Sequence, residues 1–440
     1  GTDTLLDDLQ EAYKKFNRSM SDTDAKNLVN INNILKETFK EFGYQPIETP
    51  ILCYYDMLSG KYDEGNDILK EIYKLTDQGK RNLGLRYDLT VPFAKFISLN
   101  KNKITFPFKR YEISKVFRDG PIKLGRDREF TQCDVDVVGI KGQLVEAELL
   151  SLYVEAFNKL NIDINIKYNS RNILQGLIKL GGIEDNLISS VITIIDKMNK
   201  ITKDEFKEEL SKLGLSTNQI EFLLNSFKLS IKELIDRYQE SNVSELKVGI
   251  EEIGKLNNYI EELNLDKYCT FDPTLARGQD YYTGNIFEVY EKNGKLTSSI
   301  GGGGRYDKMI TNFIEDGNQY PAVGISFGLS SIYELLKSRE DLINQNNIDL
   351  YIIPMNTNTE SLKLANKLRH DGLNVIIEMN NKKVGKALTW ASKKKIPYSL
   401  VLGSDEINSR EIEIRDMNNS QNIKMNMDDI NKIVETLKNR

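Results

Sequence analysis

Hydrophobic periodicity changes several times along the chain, and each change predicts a different kind of element. Leu28, Ile31, Leu35, Phe39 and Phe42 recur at steps of three and four, predicting an amphipathic helix capped by Asp24 and ended by Gly43. The phrase YQPIETPIL that follows is extended, and Pro46 and Pro50 confine it to a sheet edge or to a contact with a second copy. Residues 111–118 and 129–138 have strand character and flank a polar loop, 119–128, with Gly120, Pro121 and Gly125, which predicts an antiparallel hairpin with a long basic tip. An amphipathic helix at 144–160 and a short strand at 163–168 come next.

From 173 to 263 the strand signal gives way to charged helices. Thr202 with Glu205, Ser216 with Gln219 and Ser230 with Glu233 read as capping boxes, so this stretch is a helical insertion that contacts a partner or covers a site. Strands return at 275–290 and 322–327, the second turning through Gly328 into a helix whose N-terminus is placed to face an anion. Beyond 344, strands at 349–354, 374–378 and 398–403 alternate with helices at 359–370 and 382–394. Strand-like runs at 411–415 and 421–425 and a last helix complete a separate α/β domain. The expected architecture is an α+β core with an antiparallel sheet and flanking helices (1–172 and 264–343), a helical insertion (173–263) and a C-terminal α/β domain (344–440).

Composition narrows the class. Hydrophobic residues make up 40% of 440, enough for a sizeable core, and no apolar run approaches the ~20 residues that span a bilayer. No secretory signal pattern precedes the first helix. Cys53, Cys133 and Cys269 are odd in number and far apart, which fits neither a disulfide framework nor metal-ligand spacing and points to a reducing cytoplasm. The single histidine, His370, falls late in a helical pattern; it excludes a His-rich metal centre and suits a surface position. A net charge of −5 argues against binding nucleic acid over the whole surface. Lys382, Lys383, Lys386, Lys393, Lys394 and Lys395 nevertheless concentrate positive charge, either as a solvated helix or as a nucleic-acid backbone contact.

Candidate chemistry gathers on the hairpin. Period-2 alternation sets Phe130, Gln132, Asp134, Asp136 and Val138 on one face, and Thr131, Cys133, Val135 and Val137 on the other. The first face is a polar pocket floor or the wet side of a one-sided sheet. Arg118, Lys123, Arg126 and Arg128 supply cations for a polyphosphate, or simply a solvated loop. Asp88 and Thr90 stand at a strand-to-helix junction, where they cap the helix or hold a substrate ammonium group. Arg277, Asp280, Tyr281 and Tyr282 share a glycine-bracketed turn, and Gly301–Gly304 permits close backbone approach.

The FRD around Arg118, the segment LARGQDYYTG, the segment GGGGRYD and the end domain together resemble the histidyl-tRNA synthetases, a family of class II aminoacyl-tRNA synthetases, over about residues 27–438. The resemblance implies class motifs at 28–50 (a dimer interface), 109–139 and 322–335. It implies activation of L-histidine by ATP with Mg²⁺ on the phosphates and no dedicated protein metal site, transfer to tRNA(His), a homodimer, a cytoplasmic location and no membrane. Residue by residue, Arg118 and Arg277 meet the α-phosphate from two sides. Asp88, Leu89 and Thr90 hold the α-ammonium, Gln132 and Asp136 line the amino-acid pocket with Asp136 near the imidazole, and Tyr281 and Tyr282 close it. Arg126, Glu129, Gly304 and Arg305 join the two arginines on the ATP side.

One departure stands out: the third motif of the family carries Glu-Arg where this chain has Ser330 and Ser331, so Lys123 or Arg305 substitutes or activation is weakened. The rival from another class is a non-catalytic histidine-binding paralogue, a regulatory subunit of histidine biosynthesis. Such proteins usually lack the end domain that this chain carries. The DYYTG segment speaks against a class II synthetase for glycine, threonine or proline.

Overall fold

The structure, a computed structural model, describes residues 21–60, 67–121, 127–277, 281–294, 296–337 and 347–439. The chain divides into two compact units, Gly1–Arg339 and Glu340–Arg440.

In the first unit the strands are β1 (Gln45–Pro46), β2 (Leu52–Tyr54), β3 (Lys74–Thr76), β4 (Asn82–Leu85), β5 (Phe108–Phe117) and β6 (Glu129–Val138). They are followed by β7 (Ile164–Ser170), β8 (Cys269–Phe271), β9 (Asn285–Glu291), β10 (Gly301–Arg305) and β11 (Ala322–Phe327). Eight of them form one sheet in the order β1-β5-β6-β11-β10-β9-β7-β8, antiparallel except at its two ends, where β1 joins β5 and β8 joins β7 in parallel. The hairpin partners are antiparallel with Asp134 opposite Glu112 and Asp136 opposite Arg110. Strands β2, β4 and β3 make a small second sheet that the sequence pattern does not announce, because runs of three or four residues are too short to show alternation.

Alternation on β6 holds. Cys133, Val135 and Val137 are buried on the face packed by helices Asp22–Glu41 and Leu144–Lys159. Phe39, Tyr111, Tyr153, Phe157 and Phe327 interlock there, with ring centroids 5.1 Å apart for Phe39–Tyr111 and 5.0 Å for Tyr153–Phe327. Such pairs contribute about 0.5–1.5 kcal/mol each beyond area burial. The cap of the first helix is Ser21 rather than Asp24: the Ser21 hydroxyl accepts the Asp24 N–H at 3.1 Å. Asp24 lies one turn in, where its charge suits the helix dipole.

The insertion comprises helices Arg171–Leu180, Ile188–Asp196, Lys203–Lys212, Thr217–Ser226, Ile231–Tyr238 and Ser244–Glu262, and the three capping boxes are all formed. Its first and last helices cross at glycines. A Cβ on Gly176 would stand 2.5 Å from Leu246 Cα, and one on Gly249 would stand 2.7 Å from Ile173 N, so neither position tolerates a side chain. The hydrophobic core of the insertion joins Leu174, Ile178, Val191, Phe206 and Leu223 to Ala276, the residue before Arg277.

The second unit has strands β12 (Leu350–Pro354), β13 (Val375–Ile377), β14 (Tyr398–Leu402), β15 (Glu411–Asp416) and β16 (Asn422–Asn426) in the order β13-β12-β14-β15-β16. The first three are parallel and the rest antiparallel, as the β-α-β-α-β alternation requires. Helix Asn358–His370 ends at His370, which is exposed.

Candidate active site

The wet face of β6 is the floor of a cavity of about 270 Å³. Gln132, Asp134 and Asp136 line it, spanning about 13 Å at the usual rise per residue. Around them stand Tyr87, Asp88 and Thr90 from the turn into helix Thr90–Asn100, Arg118 from the end of β5, and Arg277, Tyr281, Tyr282 and Tyr306 from the other half of the sheet. Segments some 160 positions apart meet here because β11 lies between β6 and β10.

One end is cationic. The Arg118 guanidinium is stacked between two rings, 4.1 Å from the Tyr87 centroid and 4.9 Å from that of Phe130, and its Nε donates to the Tyr87 carbonyl at 3.3 Å. Arg277 donates from Nη1 to the Phe287 carbonyl at 3.2 Å. Among the described residues no carboxylate lies within ion-pair distance of either arginine. Arg277 lies flat on Gly302, where a Cβ would stand 1.3 Å from its Nη1. Its own backbone is left-handed, at φ +28°. A non-glycine residue in that region costs of order 1–3 kcal/mol and needs outside support. Asn169 and Arg171 give it: Asn169 Nδ2 donates to the carbonyls of Pro273 (3.1 Å) and Leu275 (2.9 Å), and Arg171 Nη1 to that of Ala276 (3.0 Å).

The other end is acidic and wired into a buried chain of charges. Tyr306 Oη donates to Asp136 Oδ1, and Arg110 Nη2 lies 2.6 Å from Asp136 Oδ2. Glu112 bridges Arg110 (3.5 Å) to Arg86 (3.4 Å), and Thr49 donates to Glu112 from its backbone at 2.9 Å. Arg86, Arg110 and Glu112 are at most 1% exposed, so each depends on its partners for solvation. Gly324 makes room for Asp136: a Cβ there would be 1.9 Å from its Oδ1. Burial, with Asp136 and Asp88 adding and Arg110 opposing, pushes Asp134 up to about 8, although its carboxyl opens onto the cavity. Asp136 is raised as well, burial outweighing the pull of Arg110 and Tyr306.

Asp88 caps the turn into the helix and also lines the cavity. Its Oδ1 accepts the N–H groups of Thr90 and Val91, both at 3.1 Å. Tyr281 and Tyr282 stand with centroids 4.8 Å apart over the cavity, and Tyr281 meets Tyr306 edge-on at 5.9 Å.

Four of the expected site residues lie outside the lining of the cavity. Leu89 is fully buried and does not line the cavity, since the junction turns it inward between Asp88 and Thr90. Arg305 is not a free cation for ATP. All five of its N–H groups are engaged, by Glu146 (2.7 and 3.0 Å), Asp307 (2.9 Å) and the carbonyls of Ile140 (3.0 Å) and Gly142 (2.6 Å). Gly304 lies within the sheet, where a Cβ would meet the Asn285 carbonyl at 2.6 Å and Tyr282 at 2.8 Å; Gly302 and Gly303 line the cavity instead. Glu129 pairs with Lys115 at 3.2 Å and borders a separate cleft of about 120 Å³ with Asp24, Tyr333 and Ser330. Lys123, Arg126 and Asp280 lie outside the described residues.

Arg110, Glu112 and Tyr306 were not singled out from the sequence, and Asp134 only as part of the polar face of β6. Charges at the same parity on the two hairpin strands, Arg110 facing Asp136 and Glu112 facing Asp134, are the signal that would have drawn Arg110 and Glu112 into the site.

Comparison with known proteins supports one family. The profile for histidyl-tRNA synthetase matches residues 17–332, and that for an anticodon binding domain matches 349–437. Histidine–tRNA ligase 1 of Bacillus cereus is 43% identical over 397 residues, covering 90% of this chain and 90% of the relative. Histidine–tRNA ligase of Clostridium tetani is 33% identical over 419 residues, covering 92% and 93%. The crystal structure of a histidyl-tRNA synthetase from Nostoc superposes with a TM-score of 0.84 at 28% identity, over 96% of this chain and 99% of that one. With both halves of the cavity assembled and both profiles matched in order, the chain belongs to the histidyl-tRNA synthetase family.

Proposed function

We propose that this chain is a histidine–tRNA ligase, forming histidyl-adenylate and pyrophosphate from L-histidine and ATP and then passing the histidyl group to the 3′ end of tRNA(His). The observation that carries this reading is the lining of one cavity: Arg118 and Arg277, which have no ion-pair partner among the described residues, together with the carboxyl groups of Asp88, Asp134 and Asp136. An amino acid with a basic side chain fits the acidic end, and a triphosphate fits the cationic end.

The histidine carboxylate attacks the α-phosphorus and pyrophosphate leaves. Arg118 and Arg277 hold the charge that builds on the phosphate oxygens; neither transfers a proton, because a guanidinium keeps its proton at neutral pH. Prepositioned donors of this kind are worth about 10²–10³ in rate each. The stacking of Arg118 between Tyr87 and Phe130 fixes its direction before substrate arrives. The terminal adenosine hydroxyl of tRNA then attacks the adenylate carbonyl and AMP leaves. Among the described residues no cluster of three His, Cys, Asp or Glu side chains could hold a metal ion. Mg²⁺ would enter with ATP and neutralise charge on its phosphates.

Two further features support the assembly and partners of this reading. Leu52, Tyr54 and Leu99 are exposed around a largely apolar groove of about 510 Å³, which suits a homodimer contact built on the segment after the first helix. Lys383, Lys386, Lys393, Lys394 and Lys395 are exposed along one helix of the second unit, which suits an RNA backbone; Lys382 is paired with Glu378 at 3.2 Å. The three cysteines are all free and no helix among the described residues is long and apolar enough to cross a membrane, both compatible with work in the cytoplasm.

The non-catalytic paralogue is the weaker reading, since Arg118, Arg277 and the anticodon-type domain are all present. Pyrophosphate–ATP exchange with each amino acid added singly tests the proposal. Exchange that depends on histidine is expected, and its absence in pure, folded protein would refute it. Arg277→Ala is expected to abolish most adenylation while histidine binding stays measurable.

A further inference from the structure

We propose that Arg86, which does not line the cavity, is a positioning residue for its phosphate end: it fixes the strip of chain on which Arg118 rests. The inference rests on the reading of Arg118 as a group that holds charge on the phosphate, and goes beyond it by naming what holds Arg118.

Arg86 directly follows β4 and is 1% exposed, so protein groups must take the place of water around its guanidinium. The planar fork reaches two elements at once. Nε donates to the Lys115 carbonyl on β5 at 2.7 Å. Nη1 donates to the Thr49 carbonyl at 2.7 Å and to the Thr49 hydroxyl at 3.1 Å, and lies 3.4 Å from Glu112 Oε1. The backbone is gripped as well: the Arg86 N–H donates to the Ile51 carbonyl and the Phe117 N–H donates to the Arg86 carbonyl, both at 3.0 Å. Lys115 and Phe117 are the alternate residues that bring β5 to Arg118, so main chain and side chain hold the same stretch of strand.

What Arg86 fixes is the next residue. Tyr87 offers Arg118 both a ring, at 4.1 Å, and a carbonyl that accepts from Nε at 3.3 Å. The Tyr87 hydroxyl donates to Glu71 Oε2 at 3.2 Å, and the Glu71 carbonyl accepts the N–H of Asp119 at 2.7 Å, so the residue after Arg118 is tied to the same tyrosine. Asp88 is held separately, by the N–H groups of Thr90 and Val91. A shift at Arg86 therefore moves the support of Arg118 and leaves Asp88 in place. Lysine at this position has a single ammonium, which cannot bridge Lys115 on one side and Thr49 with Glu112 on the other. A misplacement of about 1 Å set off by a change away from the reacting atoms costs about 10²-fold in rate.

Histidine-dependent pyrophosphate exchange by the full chain tests this in wild type, Arg86→Lys, Arg118→Ala and the double variant, folding of each being checked by thermal unfolding. Arg86→Lys is expected to lower kcat about ten- to a hundred-fold at saturating substrates, with the histidine KM within about threefold of wild type. In the Arg118→Ala background it is expected to cost less than about threefold, because the group it positions is gone. A folded Arg86→Lys enzyme with kcat within about threefold of wild type overturns this inference alone. Losses that multiply in the double variant overturn it too, since they mark a general structural role. Where Arg86→Lys fails to fold, Thr49→Val removes only the hydroxyl and is expected to lower kcat at least about fivefold in the same cycle; a smaller loss, or losses that multiply, overturns the inference. A wild type without histidine-dependent exchange overturns the reading of the cavity, and this inference with it.

Discussion

Gly302→Ala adds one methyl group and leaves every charged residue in place, yet it is expected to disable the cationic end of the cavity. The new Cβ would stand 1.3 Å from Arg277 Nη1 and 2.5 Å from its Cζ, so the guanidinium must leave its position. Its next neighbour is the Phe287 carbonyl at 3.0 Å, the acceptor of the 3.2 Å bond that orients Arg277. Folding should suffer little. The displaced group is the end of a flexible side chain, and alanine in a strand recovers about 0.5–1 kcal/mol of backbone entropy relative to glycine. Unfolding free energy is therefore expected to stay within about 1 kcal/mol of wild type, while exchange falls about 10²–10³-fold, or about 2.7–4 kcal/mol of transition-state stabilisation. Urea unfolding and pyrophosphate exchange at saturating substrates measure the two quantities. A mutant cycle with Arg277→Ala supplies the mechanism: the double variant should be no slower than Arg277→Ala alone. Exchange by Gly302→Ala within about threefold of wild type, or losses that simply multiply in the double variant, would refute the reasoning.

Three other outcomes follow from the same geometry. Burial raises Glu252 to about 7, with Glu146 adding to it and a 3.4 Å bond from Asn172 opposing it. A carboxyl raised in the folded state contributes stability below its unfolded pKa of about 4.3 and loses that contribution as pH rises through its folded value. Glu252→Gln should accordingly be about 2 kcal/mol more stable than wild type at pH 8, with the gap closing toward pH 5 in urea unfolding; a constant gap would count against it. Arg305→Lys should lower stability by about 3 kcal/mol because a lysine cannot satisfy Glu146, Asp307 and two carbonyls together. Its ATP KM should stay within about twofold, whereas a large rise would restore Arg305 to the ATP site. Asn169→Ala strips donors from two carbonyls of the Arg277 segment and should cost about 1–3 kcal/mol. Exchange should slow about tenfold at unchanged histidine KM, and full activity would show that Arg277 holds its position without that support.

The fold was legible wherever period and length were unambiguous. The hairpin, the three capping boxes and the alternation of the second unit follow from local sequence. The small β2-β4-β3 sheet did not, since its pairing is set by tertiary contacts of very short strands. At the site, residue types identified Arg118, Arg277, Gln132 and the tyrosine pair as cavity residues, but not which charges were already satisfied. Arg305 looked like a spare cation because Glu146, its main partner, lies 159 positions away on another element. Asp134 and Asp136 look alike on a strand, and only the approach of Arg110 and Tyr306 to Asp136 separates their surroundings. Asn169 and Arg171 carry no local signal, because what they hold is backbone from a distant segment.

The burial of Ala276 in the hydrophobic core of the insertion has a consequence for how the enzyme fails. Arg277 adjoins a residue whose place depends on the insertion remaining folded, so a local opening of those helices releases Arg277 before the main sheet is disturbed. The insertion is therefore not a detachable accessory: excising 173–263 and rejoining the ends would remove the packing that holds Arg277. By mass action the dependence runs both ways. A ligand gripped by Arg277 must slow amide hydrogen exchange in helices that never touch it, and a sequence change deep among Val191, Phe206 and Leu223 must register as a loss of catalysis.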